Sequence, residues 1–191
     1  MELLIFDDKT FENLIYAEKT VNGREFQNCV FKSCDFSNTD LSNNKFIECV
    51  FDGCNLSMAK LDRSTLNDIT FKNCKILGVN FSECQNFLFS VKFEGCILDF
   101  ASFMGKKMLK TKFIKCSLKE ATFSGANLAG SVFDNSDLLG AVFNRTDISE
   151  ANFISAYNYT IYPELNNVKN ASFSLHGLPG LLSQYQIKIV N

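Results

Sequence analysis

Between Asn28 and Leu56 the chain reads NCVFKSCDFSNTDLSNNKFIECVFDGCNL. Four cysteines fall there in two pairs with five-residue spacing, Cys29 with Cys34 and Cys49 with Cys54. They could be metal ligands, disulfide partners, redox centres or plain packing. The five-residue step itself decides. Stepping from Phe26 gives Phe31, Phe36, Leu41, Phe46, Phe51, Leu56, Leu61, Leu66, Phe71, Ile76 and Phe81, all large and apolar. The register slips by two in SECQNF (residues 82–87) and resumes at Leu88. It continues through Phe93, Leu98, Phe103, Met108, Phe113, Leu118, Phe123, Leu128, Phe133, Leu138, Phe143, Ile148 and Phe153, which makes 26 centres. The residue two before each centre is Cys, Ala, Ser, Thr or Val in 21 of the 26 cases, so a second position is restricted as well. A period of five fits neither an α-helix nor a β-strand. It marks a repeat architecture instead.

Composition sets the outer bounds. The 191 residues suit one domain or two small ones, and a hydrophobic content of 46% supports a sizeable core. A net charge of -2 gives no global bias toward nucleic acid or a membrane surface. The opening MELLIFDDKTF has acids around a very short apolar run, unlike a signal peptide. No apolar run is long enough to span a bilayer. The expected location is the cytoplasm, where thiols stay reduced.

ANLAGSVFDNSDLLGAVFNRTDISEANF (Ala126–Phe153) resembles the A(D/N)LXX pattern of the pentapeptide-repeat family. The resemblance covers about 130 of the 191 residues. It implies an all-β, right-handed quadrilateral β-helix. Four pentapeptides make each square coil of 20 residues, with the centre and the small residue two before it pointing inward. The residues support that picture independently. Every fourth centre is Phe31, Phe51, Phe71, Phe93, Phe113, Phe133 and Phe153. Rings on successive coils would lie ~4.8 Å apart, the strand spacing, close enough for offset stacking. About six and a half coils make a rod ~30 Å long.

The cysteines then read as fillers. Seven of the eight hold the small inward position, and Cys84 keeps the earlier register where the slip begins. One column reads Cys34, Cys54, Cys74, Cys96 and Cys116, then Ser136. Free Cys packs as a small buried hydrophobe. Zinc needs four convergent ligands, whereas these thiols stand in a line. No metal and no cofactor are expected.

Three segments follow from the register. Residues 1–23 echo it at Phe6, Phe11, Tyr16 and Val21 but place Lys9 and Lys19 at inward positions, which predicts a cap or distorted first coil. Residues 24–153 form the β-helix. Residues 154–191 form a C-terminal capping or dimerisation segment, with one more repeat turn at Val168 and Phe173. There Leu178, Leu181, Leu182 and Tyr185 fit one face of a short helix, Pro179 suits its first turn, and QIKIV alternates like a strand. A further inward column, Arg24, Asn44, Ser64, Asn86, Lys106, Ala126 and Thr146, is a polar corner whose Asn side chains would bond the backbone. Lys106 reads as a mark of local distortion in MGKKMLK rather than a buried ion.

An enzyme is not expected. The repeat offers no nucleophile with a base, no Gly-rich phosphate loop and no paired catalytic carboxylates, and the single histidine, His176, lies in the tail. The tail resembles that of the Qnr-like (quinolone-resistance) branch. That implies a two-fold homodimer of end-to-end rods through Leu178, Leu181, Leu182 and Tyr185. The alternative is a cap folded over its own last coil. The same resemblance implies a DNA mimic that binds DNA gyrase or topoisomerase IV and protects it against fluoroquinolones. No direct binding of nucleic acid or membrane is implied.

Charge along the chain is uneven. Residues 24–105 carry 8 basic and 10 acidic side chains. Residues 106–119 hold six lysines and no acid: Lys106, Lys107, Lys110, Lys112, Lys115 and Lys119. Residues 120–153 hold Arg145 against five acids: Glu120, Asp134, Asp137, Asp147 and Glu150. Those acids are the expected phosphate-like patch, and the lysines a flanking basic belt. A two-residue slip is too short for the long loops of Gram-negative Qnr-like proteins. The competing expectation is a non-catalytic scaffold for an unidentified protein partner.

Overall fold

The computed structural model describes residues 4–188 and residue 190. Its strands in the first half are β1 (Leu4–Asp7), β2 (Thr10–Glu12), β3 (Arg24–Gln27), β4 (Val30–Lys32), β5 (Lys45–Ile47), β6 (Val50–Asp52), β7 (Thr65–Asn67) and β8 (Ile69–Lys72). They continue as β9 (Val91–Glu94), β10 (Lys112–Ile114), β11 (Val132–Asp134), β12 (Asn152–Phe153) and β13 (Ser172–Phe173), and one short helix, α1 (Pro179–Leu182), follows. All pairings are parallel, between residues about one coil apart. The chain is a right-handed quadrilateral β-helix. Side one carries β1, β3, β5 and β7, and side two carries nine strands from β2 to β13. Sides three and four are ladders of isolated bridges, such as Asp35–Asn55–Lys75 and Ser102–Thr122–Val142. Nine rungs on side two give a rod about 40 Å long at the strand spacing.

The square shape has a backbone cause. The second residue after most centres turns left-handed, with φ of 51° at Asn28, 50° at Ser33, 53° at Asn38 and 59° at Asn43. Gly and Asn reach that region at least cost, which explains their abundance at these corners. Each turn sends its N–H groups to the next coil: Asn28 donates to the Ile47 carbonyl at 3.0 Å and Leu56 to the Lys75 carbonyl at 2.7 Å. Backbone polarity is satisfied along the rod axis, and the interior is left to side chains.

Those side chains stack. Along side two, Phe31–Phe51, Phe51–Phe71, Phe71–Phe93, Phe93–Phe113, Phe113–Phe133 and Phe133–Phe153 have centroids 4.7, 5.1, 5.3, 5.4, 4.8 and 4.6 Å apart. Phe11 extends the column above and Phe173 below. The cysteines are buried and unpaired among the described residues. The Cys54, Cys74 and Cys96 thiols donate to the carbonyls of Phe31, Phe51 and Phe71 at 3.3, 3.3 and 3.4 Å. Burial pushes the Cys49 thiol up to about 11 and the Cys116 thiol up to about 12.

The slip is placed differently from the reading of the sequence. Gln85 still donates to the Ser64 carbonyl, and Ile69 already pairs with Val91, so the two extra residues lie between Gln85 and Val91. Cys84 therefore holds the polar corner in Asn86's stead, its thiol directed at the Leu61 carbonyl as Ser64 is at Leu41. Asn86 is exposed. Leu88, the expected centre, stands outside with φ 58°, and Phe89 fills the interior place. The expansion leaves room for a longer corner residue below it, and Lys106 takes that room. Lys106 is 1% exposed, an interior cation rather than a surface one. Its Nζ donates to the Cys84 carbonyl and, at 2.8 Å, to Asn86 Oδ1, and stands 5.1 Å from the Phe89 ring centroid. Burial pulls its pKa below the ordinary lysine value.

The ends differ. At the N-terminal end β1 and β2 pair in register with β3 and β4, so residues from Leu4 onward make a coil with Lys9 and Lys19 turned out to solvent. Lys19 Nζ folds back to the Ile15 carbonyl at 3.0 Å. At the C-terminal end the lapse in the repeat at residues 154–167 is not a lapse in the coil: Tyr157 pairs with Asp137, and Tyr159 and Ile161 are buried. The helix begins at Pro179 and packs back on the last coil. Ile161 donates to the Gly180 carbonyl at 3.0 Å, and Leu181 lies against the core. Residues Gln186–Lys188 form no strand, and Ile189 lies outside the described residues.

Candidate interaction surfaces

A coil exposes three residues per repeat, one before each centre and two after it. Function outside the core is confined to those positions. Columns along the rod, rather than segments of the chain, set what a partner meets.

The five acids expected as one patch fall on three sides. Asp147 and Glu150 lie on side one, Asp134 on side two, and Glu120 and Asp137 on side three. Several are held by neighbours. Asp134 accepts from Ser155 Oγ at 2.6 Å and Asp137 from Asn158 Nδ2 at 2.8 Å, while Asp147 accepts from Asn167 Nδ2 at 3.0 Å. The basic belt divides the same way. Lys107 and Lys110 lie on side one, Lys112 and Lys115 on side two, Lys119 on side three, and Lys106 inside. Lys119 approaches Asp137 of the next coil to 3.6 Å. Signs alternate along the rod, and neither set forms a single field.

Segment counting concealed a stronger acidic strip. Asp7, Asp8, Glu25, Glu48 and Asp68 all project from the upper part of side one or its edge toward side two, against the cations Lys45, Lys9 and the half-buried Arg24. Lys45 pairs with Glu25 at 3.2 Å, and Lys92 of side two reaches Asp68 at 2.7 Å. The signal was present in the five-residue register, because these acids occupy outward positions of the same side.

The tail residues expected at a dimer contact are divided. Leu181 packs on the chain's own core, while Leu178 and Tyr185 remain exposed. Tyr185 Oη donates to Glu164 Oε1, and Gln184 Nε2 donates to Glu164 Oε2 at 2.6 Å, which ties the tail to its own last coil. His176 borders a cleft of about 330 Å³ with Tyr157, Asn158, Tyr159 and Ser174, and among the described residues no carboxylate or thiol lines it. Among the described residues no three His, Cys, Asp or Glu side chains converge on a metal-sized site, and no helix is long and apolar enough to cross a membrane.

Comparison with known proteins agrees with this architecture. Residues 24–103 match the pentapeptide repeat region model and residues 116–153 match the model of pentapeptide repeats in eight copies. The chain belongs to the pentapeptide-repeat family. Among solved structures it is similar to trypsin-treated QnrB1, a plasmid-mediated fluoroquinolone resistance protein. The TM-score is 0.62 at 19% identity, over 95% of this chain and 100% of that one. A second trypsin-treated QnrB1 variant gives a TM-score of 0.58 at 18% identity over 100% of both chains. No curated protein matches the sequence.

Proposed function

We propose that this chain is a non-catalytic binding rod whose partner is a type II topoisomerase, DNA gyrase or topoisomerase IV, which it protects against fluoroquinolones. The observation that carries the reading is the end-to-end likeness to QnrB1, which spans both chains rather than a shared stretch of coils. The surface refines the mechanism. A phosphate-like row would come from Asp7, Asp8, Glu25, Glu48 and Asp68 on side one, not from the acids nearer the C-terminus. In this reading the exposed Leu178 and Tyr185 join two rods end to end.

The test is gyrase supercoiling with ciprofloxacin, titrated with the protein. Restored supercoiling supports the proposal, and loss of that effect in Glu48→Lys/Asp68→Lys assigns it to side one. Neither rescue nor inhibition at micromolar protein removes the topoisomerase reading.

A second reading is a scaffold for some other protein. The observation in its favour is the alternation of signs on sides two and three, exemplified by Lys119 beside Asp137. Such a surface suits a protein partner of mixed charge better than a site built for DNA.

A further inference from the structure

Most of the interior thiols form a row. Cys34, Cys54, Cys74, Cys96 and Cys116 stand on successive coils at the corner between sides two and three, each at most 3% exposed. They point the same way, because each sulfur lies 3.2–3.6 Å from the carbonyl oxygen of the residue two before it. Sulfurs oriented alike on successive coils repeat at the strand spacing of ~4.8 Å. The Cys74 thiol is in range to act on those of Cys54 and Cys96. Cys29 and Cys49 make a shorter row at the corner between sides one and two, with the matching carbonyl contacts at 3.2 and 3.3 Å. Cys84 has no such company, because Ser64 precedes it in its column and Lys106 follows.

A straight row cannot hold zinc, which needs four convergent ligands. It suits a soft ion that takes two thiolates in line. An ion midway between the sulfurs of neighbouring coils stands ~2.4 Å from each, half the coil rise, which is about the length of a metal–thiolate bond. Charge then selects among such ions. Lys106, the cation buried in the rod, lies at the diagonally opposite corner between sides four and one, so it does not balance a charge in the row. An unbalanced charge in a dry interior is costly. A monovalent ion on two thiolates leaves one negative charge, whereas a divalent ion leaves none.

We propose that pairs of thiols on neighbouring coils bind the mercuric ion, two-coordinate and linear, with the row from Cys34 to Cys116 as the main site. Two S–H bonds break, two Hg–S bonds form and two protons leave to solvent, with no change of oxidation state. A sulfur that bridges two ions is bent, and the straight row does not allow that, so one sulfur serves one ion. The row of Cys34, Cys54, Cys74, Cys96 and Cys116 therefore takes two ions, Cys29 with Cys49 takes one, and Cys84 takes none. The site lies inside the rod and is independent of the topoisomerase reading.

Mercuric chloride tests it, equilibrated with the full chain and then challenged with glutathione to strip ions held by a single sulfur. Native mass spectrometry counts what remains. Three ions per chain are expected from the pairs just named, with the ultraviolet absorption of a two-coordinate mercury thiolate. The count should follow pairing rather than the number of thiols. Cys74→Ser leaves Cys34 with Cys54 and Cys96 with Cys116, and keeps all three ions. Cys54→Ser isolates Cys34, leaves one pair among Cys74, Cys96 and Cys116, and keeps two ions. Cys84→Ser loses none. Serine already continues this column at Ser136, and circular dichroism checks that the rod persists. Cys74→Ala and Cys54→Ala repeat the comparison where serine disturbs the coil. The proposal is overturned if the wild-type chain retains no ion, if the variants of Cys74 and Cys54 lose ions equally, if Cys84→Ser loses one, or if zinc chloride gives the same count as mercuric chloride.

Discussion

The upper and lower halves of the rod fill the same square interior with different residues. Both share the Phe column of side two. In the upper half its edge-to-face neighbours come largely from side one, as Phe26 against Phe31 at 5.3 Å and Phe46 against Phe51 at 5.5 Å. In the lower half they come from side four, as Phe103 against Phe113 at 6.0 Å and Phe123 against Phe133 at 5.9 Å. The small inward positions change as well: cysteine is the commonest residue there up to Cys116 and is absent beyond it, where alanine, serine and Thr146 stand. The exchange of sides falls in the coils next to the insertion, where Leu66 has replaced Phe46 on side one and Phe81 replaces Leu61 on side four. The lesson concerns volume. Most coils need a second ring against the constant one, and either the adjacent side one or the opposite side four can supply it.

The largest expected effect tests the shared part. Phe93→Ala and Phe133→Ala each remove a ring held between two stacked neighbours. Each is expected to lose about 3–5 kcal/mol in urea unfolding. The two losses should agree within about 1 kcal/mol, since both rings sit in the same stack. A loss confined to one half would show that the column is not a common support.

The differing part is open to exchange. In the coil of Phe46, Leu61 occupies the side-four place that Phe81 and Phe103 fill lower down. Phe46→Leu leaves a void and Leu61→Phe overfills, each at about 1–3 kcal/mol. The double variant transfers the ring from one side to the other. It is expected to recover about 1 kcal/mol or more relative to the sum of the single changes. A strictly additive double variant would mean that the side supplying the ring matters more than the volume.

Alkaline pH should separate the halves next. The folded values of about 11 for Cys49 and about 12 for Cys116 lie above the ordinary thiol value of 9.0. From about pH 9 upward the unfolded chain releases thiol protons that the folded chain keeps. Stability then falls as pH rises, by about 1.4 kcal/mol per unit for each such thiol. Lys106 works in the opposite sense, because its folded state gives up the proton first, below 10.5. Hydrogen bonds from neighbouring thiols lower Cys54 and Cys96, which act with Lys106, but the raised thiols Cys34, Cys49, Cys74, Cys84 and Cys116 outnumber these three, so the net slope is downward. Hydrogen exchange should show the upper coils loosening before the lower ones, and Cys49→Ala should reduce the slope.

Much of this was legible in the sequence because inward and outward positions repeat every five residues. The Phe column, the cysteine column and the return of the repeat at Phe173 followed from counting. The insertion did not. SECQNF looked like the slip, yet Leu88 and Phe89 are both apolar, and only three-dimensional fit selects the ring as the filler. Lys106 was misread for a related reason: a lysine at a small inward position is too long for a regular coil, and the expansion that admits it is set by residues a full coil earlier. The surface was the least legible. Segments rich in one charge wrap around three sides, whereas the acidic strip on side one comes from residues scattered between Asp7 and Asp68.

The smallest effect bears on why cysteine and serine can alternate at all. Ser136 continues the cysteine column and keeps its bonds: its Oγ donates to the Phe113 carbonyl at 3.1 Å and accepts from the Cys116 N–H at 3.1 Å. Higher up, Cys54 Sγ accepts from the Cys34 N–H at 3.4 Å in the same arrangement. Ser136→Cys preserves donor, acceptor and approximate volume, so its cost should stay under about 1 kcal/mol. Ser136→Ala leaves the Cys116 N–H without that partner in a buried place and should cost about 1–3 kcal/mol. The order of these two variants, measured by urea unfolding, is decisive. If alanine were tolerated better than cysteine, volume alone would govern the column, and the alignment of thiols with backbone carbonyls in the upper half would contribute nothing.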